Sequence, residues 1–124
     1  MKKYAVSIIG LSAIAVLLTL FWTWRTSGPP AAQATVAEFA QCLADKKITM
    51  YGSASCPHCQ NEKRAFGDAF KYVPYVECPQ NIQTCLAVGI RGYPTWIFPD
   101  GKRLEGEQGL ANLSRESGCP LANH

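Results

Sequence analysis

From Tyr4 to Trp24 the chain carries no charge and is mostly Ala, Val, Ile and Leu, whereas beyond residue 35 short apolar runs alternate with polar breaks. The first stretch reads as one membrane helix, since at about 1.5 Å per residue it matches the roughly 30 Å of a bilayer's hydrocarbon. Lys2 and Lys3 before it outweigh Arg25 after it, which keeps the short end in the cytoplasm and sends the rest across. Trp22 and Trp24 suit the far interface. A cleaved signal peptide is the competing reading, because Ala32-Gln33-Ala34 has the small-x-small form, although the apolar stretch exceeds the roughly 7 to 15 residues of such peptides. Either way the remainder lies outside the cytoplasm, periplasmic in a bacterial cell or secreted after cleavage near Ala34. The expected organisation is an anchor over residues 1–26, a linker over 27–35 containing Ser27-Gly28-Pro29-Pro30, one folded domain over 36–119 and a tail over 120–124.

Within the domain, Val36, Phe39, Ala40 and Leu43 recur at helical spacing, so Val36 to Ala44 is predicted helical. Ile48 to Tyr51 reads as a buried strand running into Gly52-Ser53-Ala54-Ser55. Pro57 suits a first helical turn, and Cys59, Lys63, Phe66 and Phe70 then recur at four, three and four residues, which predicts a helix to about Lys71. Tyr72 to Glu77 reads as a second strand and Pro79 to Val88 as a short helix ended by Gly89. Thr95 to Phe98, the turn Pro99-Asp100-Gly101 and Lys102 to Gly106 read as a hairpin, and Gln108 to Ser117 as a last helix. There is no internal repeat.

Charge excludes one class of function. The formal charge is +3, but Lys2, Lys3 and Arg25 belong to the first thirty residues, and the remainder holds nine residues of each sign. No basic face is left for nucleic acid. Six cysteines in so small an exported domain point to stapling by disulfides as well as to chemistry.

Chemistry concentrates in Cys56-Pro57-His58-Cys59. Two cysteines two residues apart at a helix start can close and exchange a disulfide, and the helix-terminal amides stabilise a thiolate on the first. Stabilising the reduced form makes the matching disulfide a stronger oxidant. Zinc is a weaker alternative, because Cys78 and Cys85 as a second ligand pair are spaced by six residues rather than the two to four common in zinc sites. Haem attachment needs a histidine where Gln60 stands. Copper carriage through Cys and His is a further alternative, and the reading adopted has neither metal nor cofactor. Trp96 reads as core, and His124 as a solvated tail.

Tyr51-Gly52, Cys56-Pro57-His58-Cys59, Pro74-Tyr75-Val76-Glu77-Cys78 and Gly92-Tyr93-Pro94-Thr95-Trp96 together resemble the thioredoxin-like domain attached to bacterial and plant vitamin K epoxide reductase homologues. The resemblance runs over residues 36–118. It implies an α/β thioredoxin-like fold, a central mixed sheet flanked by helices and lacking the first strand of thioredoxin, here behind one transmembrane helix. It also implies a thiol–disulfide oxidoreductase that oxidises exported cysteine-containing proteins and is reoxidised by a vitamin K epoxide reductase-like, quinone-linked membrane oxidoreductase. That partner is a separate polypeptide if only one membrane helix is present. Cys56 is then the exposed nucleophile and Cys59 the resolving thiol, with Pro57 and His58 modulating them. A histidine in this dipeptide is shared with the strongly oxidising DsbA-type proteins, which favours oxidation.

The resemblance further implies that Pro94 is cis opposite the cysteine pair, forming with Tyr93 an edge for an extended substrate segment. Many thioredoxin relatives bury an acid six residues before the first cysteine, where Met50 stands here. Proton transfer for Cys59 then falls to water or to another group such as Glu62. Cys78 and Cys85 read as a structural disulfide, as related domains have a second pair in this region, with a second redox relay as the alternative. Parity leaves Cys42 and Cys119 to pair with one another or with another chain. The competing functions are a thiol reductase or isomerase, for example in cytochrome maturation, and a non-catalytic disulfide-stapled or metal-binding module.

Overall fold

The computed structural model describes Leu18, Thr19, Phe21 and residues 35–122. The chain divides into two compact units, Met1–Ala32 and Gln33–His124. The expected membrane segment over residues 4–24 lies outside the described residues apart from Leu18, Thr19 and Phe21, and so do Ala32, Ala34 and His124. Among the described residues no helix is long and apolar enough to cross a membrane.

The second unit begins with α1, Val36–Asp45, whose start is set by a capping box: Thr35 Oγ1 accepts from the Glu38 amide at 3.2 Å, and Glu38 Oε2 accepts from the Thr35 amide at 2.6 Å. Its apolar stripe of Phe39, Ala40 and Leu43 is fully buried. Lys47, at φ 56°, turns the chain out of the helix into β1, Thr49–Gly52.

Strand β1 is paired on both sides. It runs parallel to β2, Tyr75–Glu77, with Met50 opposite Tyr75, and antiparallel to β3, Thr95–Ile97, with Met50 also opposite Trp96. Strand β4, Arg103–Glu105, closes the sheet order β2-β1-β3-β4. Helix α2, Pro57–Phe66, crosses from β1 toward β2; α3, Ile82–Ala87, follows β2; and α4, Gly109–Ser117, follows the β3–β4 hairpin. This mixed four-stranded sheet flanked by helices is compatible with a thioredoxin-like fold.

Phe66 joins the layers, stacked on Phe39 of α1 at 5.8 Å between ring centroids and tilted against Trp96 of β3 at 6.1 Å. Phe70 continues the cluster to Tyr75 of β2, 5.6 Å away. Such ring pairs add on the order of 1 kcal/mol each beyond their burial.

Three boundaries differ from expectation. Helix α2 ends at Phe66, because Gly67 adopts φ 56°, and the chain continues to Tyr72 as a 3-10 helix. The second strand pairs only over Tyr75–Glu77, since Tyr72 belongs to that 3-10 segment. The helix expected over Pro79 to Val88 is a 3-10 turn, Cys78–Gln80, followed by α3.

Candidate active site

Cys56 is the N-cap of α2, with Pro57 in the first helical turn. Its backbone is fixed on both sides, the amide donating to Ser53 O at 3.1 Å and the carbonyl accepting from the Gln60 amide at 3.0 Å. The approach loop is braced by Gln60 Nε2 donating to Ala54 O at 2.8 Å and by the Ser53 and Ser55 hydroxyls 2.9 Å apart. Cys56 is partly exposed, Cys59 is fully buried, and both are free thiols. The pair is therefore asymmetric, with one sulfur facing solvent and the other beneath it.

Burial pushes the Cys59 thiol up to about 11, helped by the hydrogen bond and charge of Cys56 and opposed by a Ser53 backbone hydrogen bond and the Lys63 charge. The space around Cys59 is tight. A Cβ built on Gly52 would lie 2.8 Å from Cys59 Sγ, 3.3 Å from Tyr75 Cε2 and 3.5 Å from Met50 Cε. Gly52 is thus required because the buried sulfur takes the place of its side chain.

The opposite wall comes from the loop before β3. The Tyr93–Pro94 peptide bond is cis, and the Cys56 thiol donates to the Tyr93 carbonyl at 3.6 Å. Tyr93 is exposed while Pro94 is buried, and the Pro94 carbonyl accepts from the Gly106 amide at 2.8 Å. The structure thereby brings Cys56, Cys59, Pro57, Tyr93 and Pro94 to one place.

His58 points away from the core and is met by a residue forty-nine positions later, its Nδ1 lying 3.0 Å from Glu107 Oε2. Asn61 Nδ2 donates to the same oxygen at 3.0 Å. The Asn61 and His58 hydrogen bonds hold the Glu107 carboxyl below the usual range.

The hydrogen bonds of Glu62 go to the backbone before and at the start of α4. Glu62 is buried, with Oε2 accepting from the Gln108 amide at 2.7 Å and Oε1 from the Gly109 amide at 3.0 Å, so it caps the first turn of α4. Burial raises its pKa against those two hydrogen bonds. The Lys63 charge acts on Cys59, and Tyr75 borders the space its sulfur fills. Lys63 Nζ lies 3.7 Å from the centre of the Tyr75 ring, and the Tyr75 hydroxyl donates to Glu77 Oε2. Glu77 Oε1 in turn accepts from the Ala54 amide at 2.9 Å. The sequence marked Lys63 only as a charge within an apolar stripe, and nothing in it signalled Glu107.

The other four cysteines lie in two bridges. Cys78–Cys85 joins the end of β2 to α3 with Cα atoms 5.7 Å apart, and Cys42–Cys119 joins α1 to the residues after α4 with Cα atoms 5.9 Å apart. Cys78 and Cys85 are therefore not available as thiolates to a zinc ion. Among the described residues no group of three or more His, Cys, Asp or Glu is placed to hold a metal.

Fold and site together fit a thioredoxin-like domain that presents a Cys-x-x-Cys pair at a helix start. No protein-family model matches the chain. It is similar to the thiol-disulfide oxidoreductase LTO1 of Arabidopsis thaliana, 40% identical over 81 residues that cover 58% of this chain and 21% of that protein. The chain thus spans about a fifth of the length of the relative it matches.

Proposed function

We propose that this chain is a thiol–disulfide oxidoreductase that works outside the cytoplasm, held by its N-terminal segment, and oxidises the cysteines of exported proteins. The observation that carries the reading is the pairing of an accessible Cys56 with a buried Cys59 at the start of α2. The likeness to a protein named for thiol–disulfide oxidoreduction supports it.

In the oxidised protein, a substrate thiolate attacks Cys56 Sγ, the Cys56–Cys59 bond breaks and Cys59 departs as a thiolate. A second substrate thiolate then attacks the substrate sulfur of the mixed disulfide and Cys56 departs. The substrate gains a disulfide, and the pair takes up the two electrons. The Tyr93 carbonyl beside Cys56 offers an acceptor for the backbone of an extended substrate segment. The oxidising direction is supported by the Pro57-His58 dipeptide, of the kind found in strongly oxidising DsbA-type proteins, and by the seat of Cys56 at the start of α2. Reoxidation is assigned to a quinone-linked, vitamin K epoxide reductase-like membrane partner.

The test is to mix the oxidised full chain with a reduced, unfolded secretory protein and follow disulfide formation. The expected result is stoichiometric oxidation that Cys56→Ser abolishes. Failure to oxidise, together with catalysed reduction of insulin disulfides, would assign the chain to the reductase class.

A further inference from the structure

The stripe of α2 that faces the sheet holds Cys59, Phe66 and, one helical turn after Cys59, a lysine. Lys63 sits at i+4 from Cys59 and is only partly exposed. Its ammonium is held over two rings, 3.7 Å from the centre of Tyr75 and 5.3 Å from that of Phe70. Tyr75 is fixed in turn by donating to Glu77, whose other oxygen accepts from Ala54 in the loop leading to Cys56. Tyr75 also borders the tight space over Gly52 that Cys59 Sγ fills. A cation is therefore seated on the aromatic ring that borders the buried sulfur, in a place where the helix pattern calls for an apolar residue.

We propose that Lys63 is the positioning residue that stabilises the Cys59 thiolate during exchange, and that Tyr75 and Glu77 hold it in place. The inference deepens the exchange chemistry proposed above and rests on it. Cys59 is a thiolate at two moments. When a substrate thiolate attacks Cys56, the Cys56–Cys59 bond breaks with its electron pair going to Cys59. When an oxidising disulfide has formed a mixed disulfide on Cys56, Cys59 first loses its proton to water. Its sulfur then attacks Cys56, the Cys56–Cys59 bond forms, and the partner's sulfur leaves as a thiolate. The Cys59 sulfur is oxidised and the departing sulfur reduced. A leaving thiolate that is better stabilised leaves faster, and a resolving thiol needs its thiolate to react, so one cation assists both steps.

The groups facing Cys59 divide clearly. Cys56 at the α2 N-cap opposes its ionisation, whereas the Ser53 backbone and Lys63 favour it. Tyr75 faces it from β2 with its proton directed to Glu77, and Met50 and Gly52 on β1 bring no charge. Glu62 is committed to Gln108 and Gly109, and Glu107 to His58 and Asn61.

The test uses the full chain with Cys56 and Cys59 reduced and a chromogenic aromatic disulfide as oxidant. One coloured thiolate is released when Cys56 attacks, and a second when Cys59 resolves the mixed disulfide. Lys63→Met keeps the stem and removes the charge, while Lys63→Arg keeps the charge. Lys63→Met is expected to slow the second release about tenfold, as for loss of one neighbouring charge, and to move its pH midpoint upward while leaving the first release unchanged. Lys63→Arg is expected to stay close to the parent. Equal slowing in both variants, or a second release in Lys63→Met within about twofold of the parent with its midpoint unmoved, would overturn the inference. Absence of any second release in the parent would overturn the exchange reading itself, and this inference with it.

Discussion

The Cys56 thiol and the Tyr93 carbonyl oxygen, thirty-seven residues apart in sequence, lie 3.6 Å from each other across the candidate active site. The contact sets the start of α2 against the loop leading into β3, so the accessible sulfur sits beside a backbone carbonyl. The partner, Cys59, is fully buried, its sulfur filling the space over Gly52 that Tyr75 and Met50 also border. On the proposed function, exchange with an outside sulfur begins at Cys56.

This asymmetry predicts different behaviour for the two serine variants. Cys59→Ser should accumulate a mixed disulfide between Cys56 and a substrate, visible as a reducible band on a non-reducing gel. Cys56→Ser should form none, because Cys59 is fully buried. Equal trapping by both variants would show that the sulfurs are equally accessible.

Gly52→Ala tests the packing over Cys59. The added methyl would lie 2.8 Å from Cys59 Sγ and 3.3 Å from the Tyr75 ring, so β1 or α2 must shift. A loss of about 1–3 kcal/mol in denaturant unfolding is expected, as for overpacking of a tight core. An unchanged midpoint would mean that the site yields freely.

Glu62 ties α2 to α4, and removing it leaves the Gln108 and Gly109 amides without their acceptors. Glu62→Ala should cost roughly 1–3 kcal/mol by denaturant titration, the usual penalty for buried unsatisfied donors.

The pH dependence of stability has two opposed parts. Burial raises the Glu62 pKa above the ordinary 4.5, so its contribution is fully present below that value and is lost as pH rises through the folded-state value. Glu116 and Glu107 are held below 4.5, the first by Lys102, the second by Asn61 and His58, and their contributions are present above that value and lost on acidification. Glu62→Gln should therefore make the loss of stability in acid steeper, which unfolding curves between neutral and acid pH will show.

The two bridges should differ in worth. Cys42–Cys119 closes a separation of 77 residues and Cys78–Cys85 one of 7. Loop-closure entropy assigns the first about 4.5 kcal/mol and the second about 2.4 kcal/mol. The alanine pairs C42A/C119A and C78A/C85A, compared by thermal or denaturant unfolding, should rank in that order.

What the sequence made legible was what local pattern controls. The stripe Phe39, Ala40, Leu43 placed α1, the apolar run at Met50 placed β1, Pro57 placed the start of α2, and the Pro99-Asp100-Gly101 turn placed the hairpin. The end of α2 escaped because Phe66 and Phe70 continue the helical spacing across Gly67, while the backbone there departs at φ 56°. Tyr72 and Val73 have strand-forming side chains but do not pair, since β2 meets β1 only from Tyr75 onward. Glu107 against His58 and Glu62 against Gln108 join residues more than forty positions apart, which no local period encodes. Glu62 is close to Cys59 in sequence, but what its carboxylate meets depends on where α4 begins.

The reduction potential of the Cys56–Cys59 pair, measured on the full chain by equilibration with glutathione buffers and mass detection of trapped thiols, tests the central claim most directly. A single two-electron transition of this pair at about −120 to −200 mV is predicted, with Cys42–Cys119 and Cys78–Cys85 staying closed throughout. A value near thioredoxin's roughly −270 mV would contradict the oxidising role, and a pair that never closes would contradict the exchange itself.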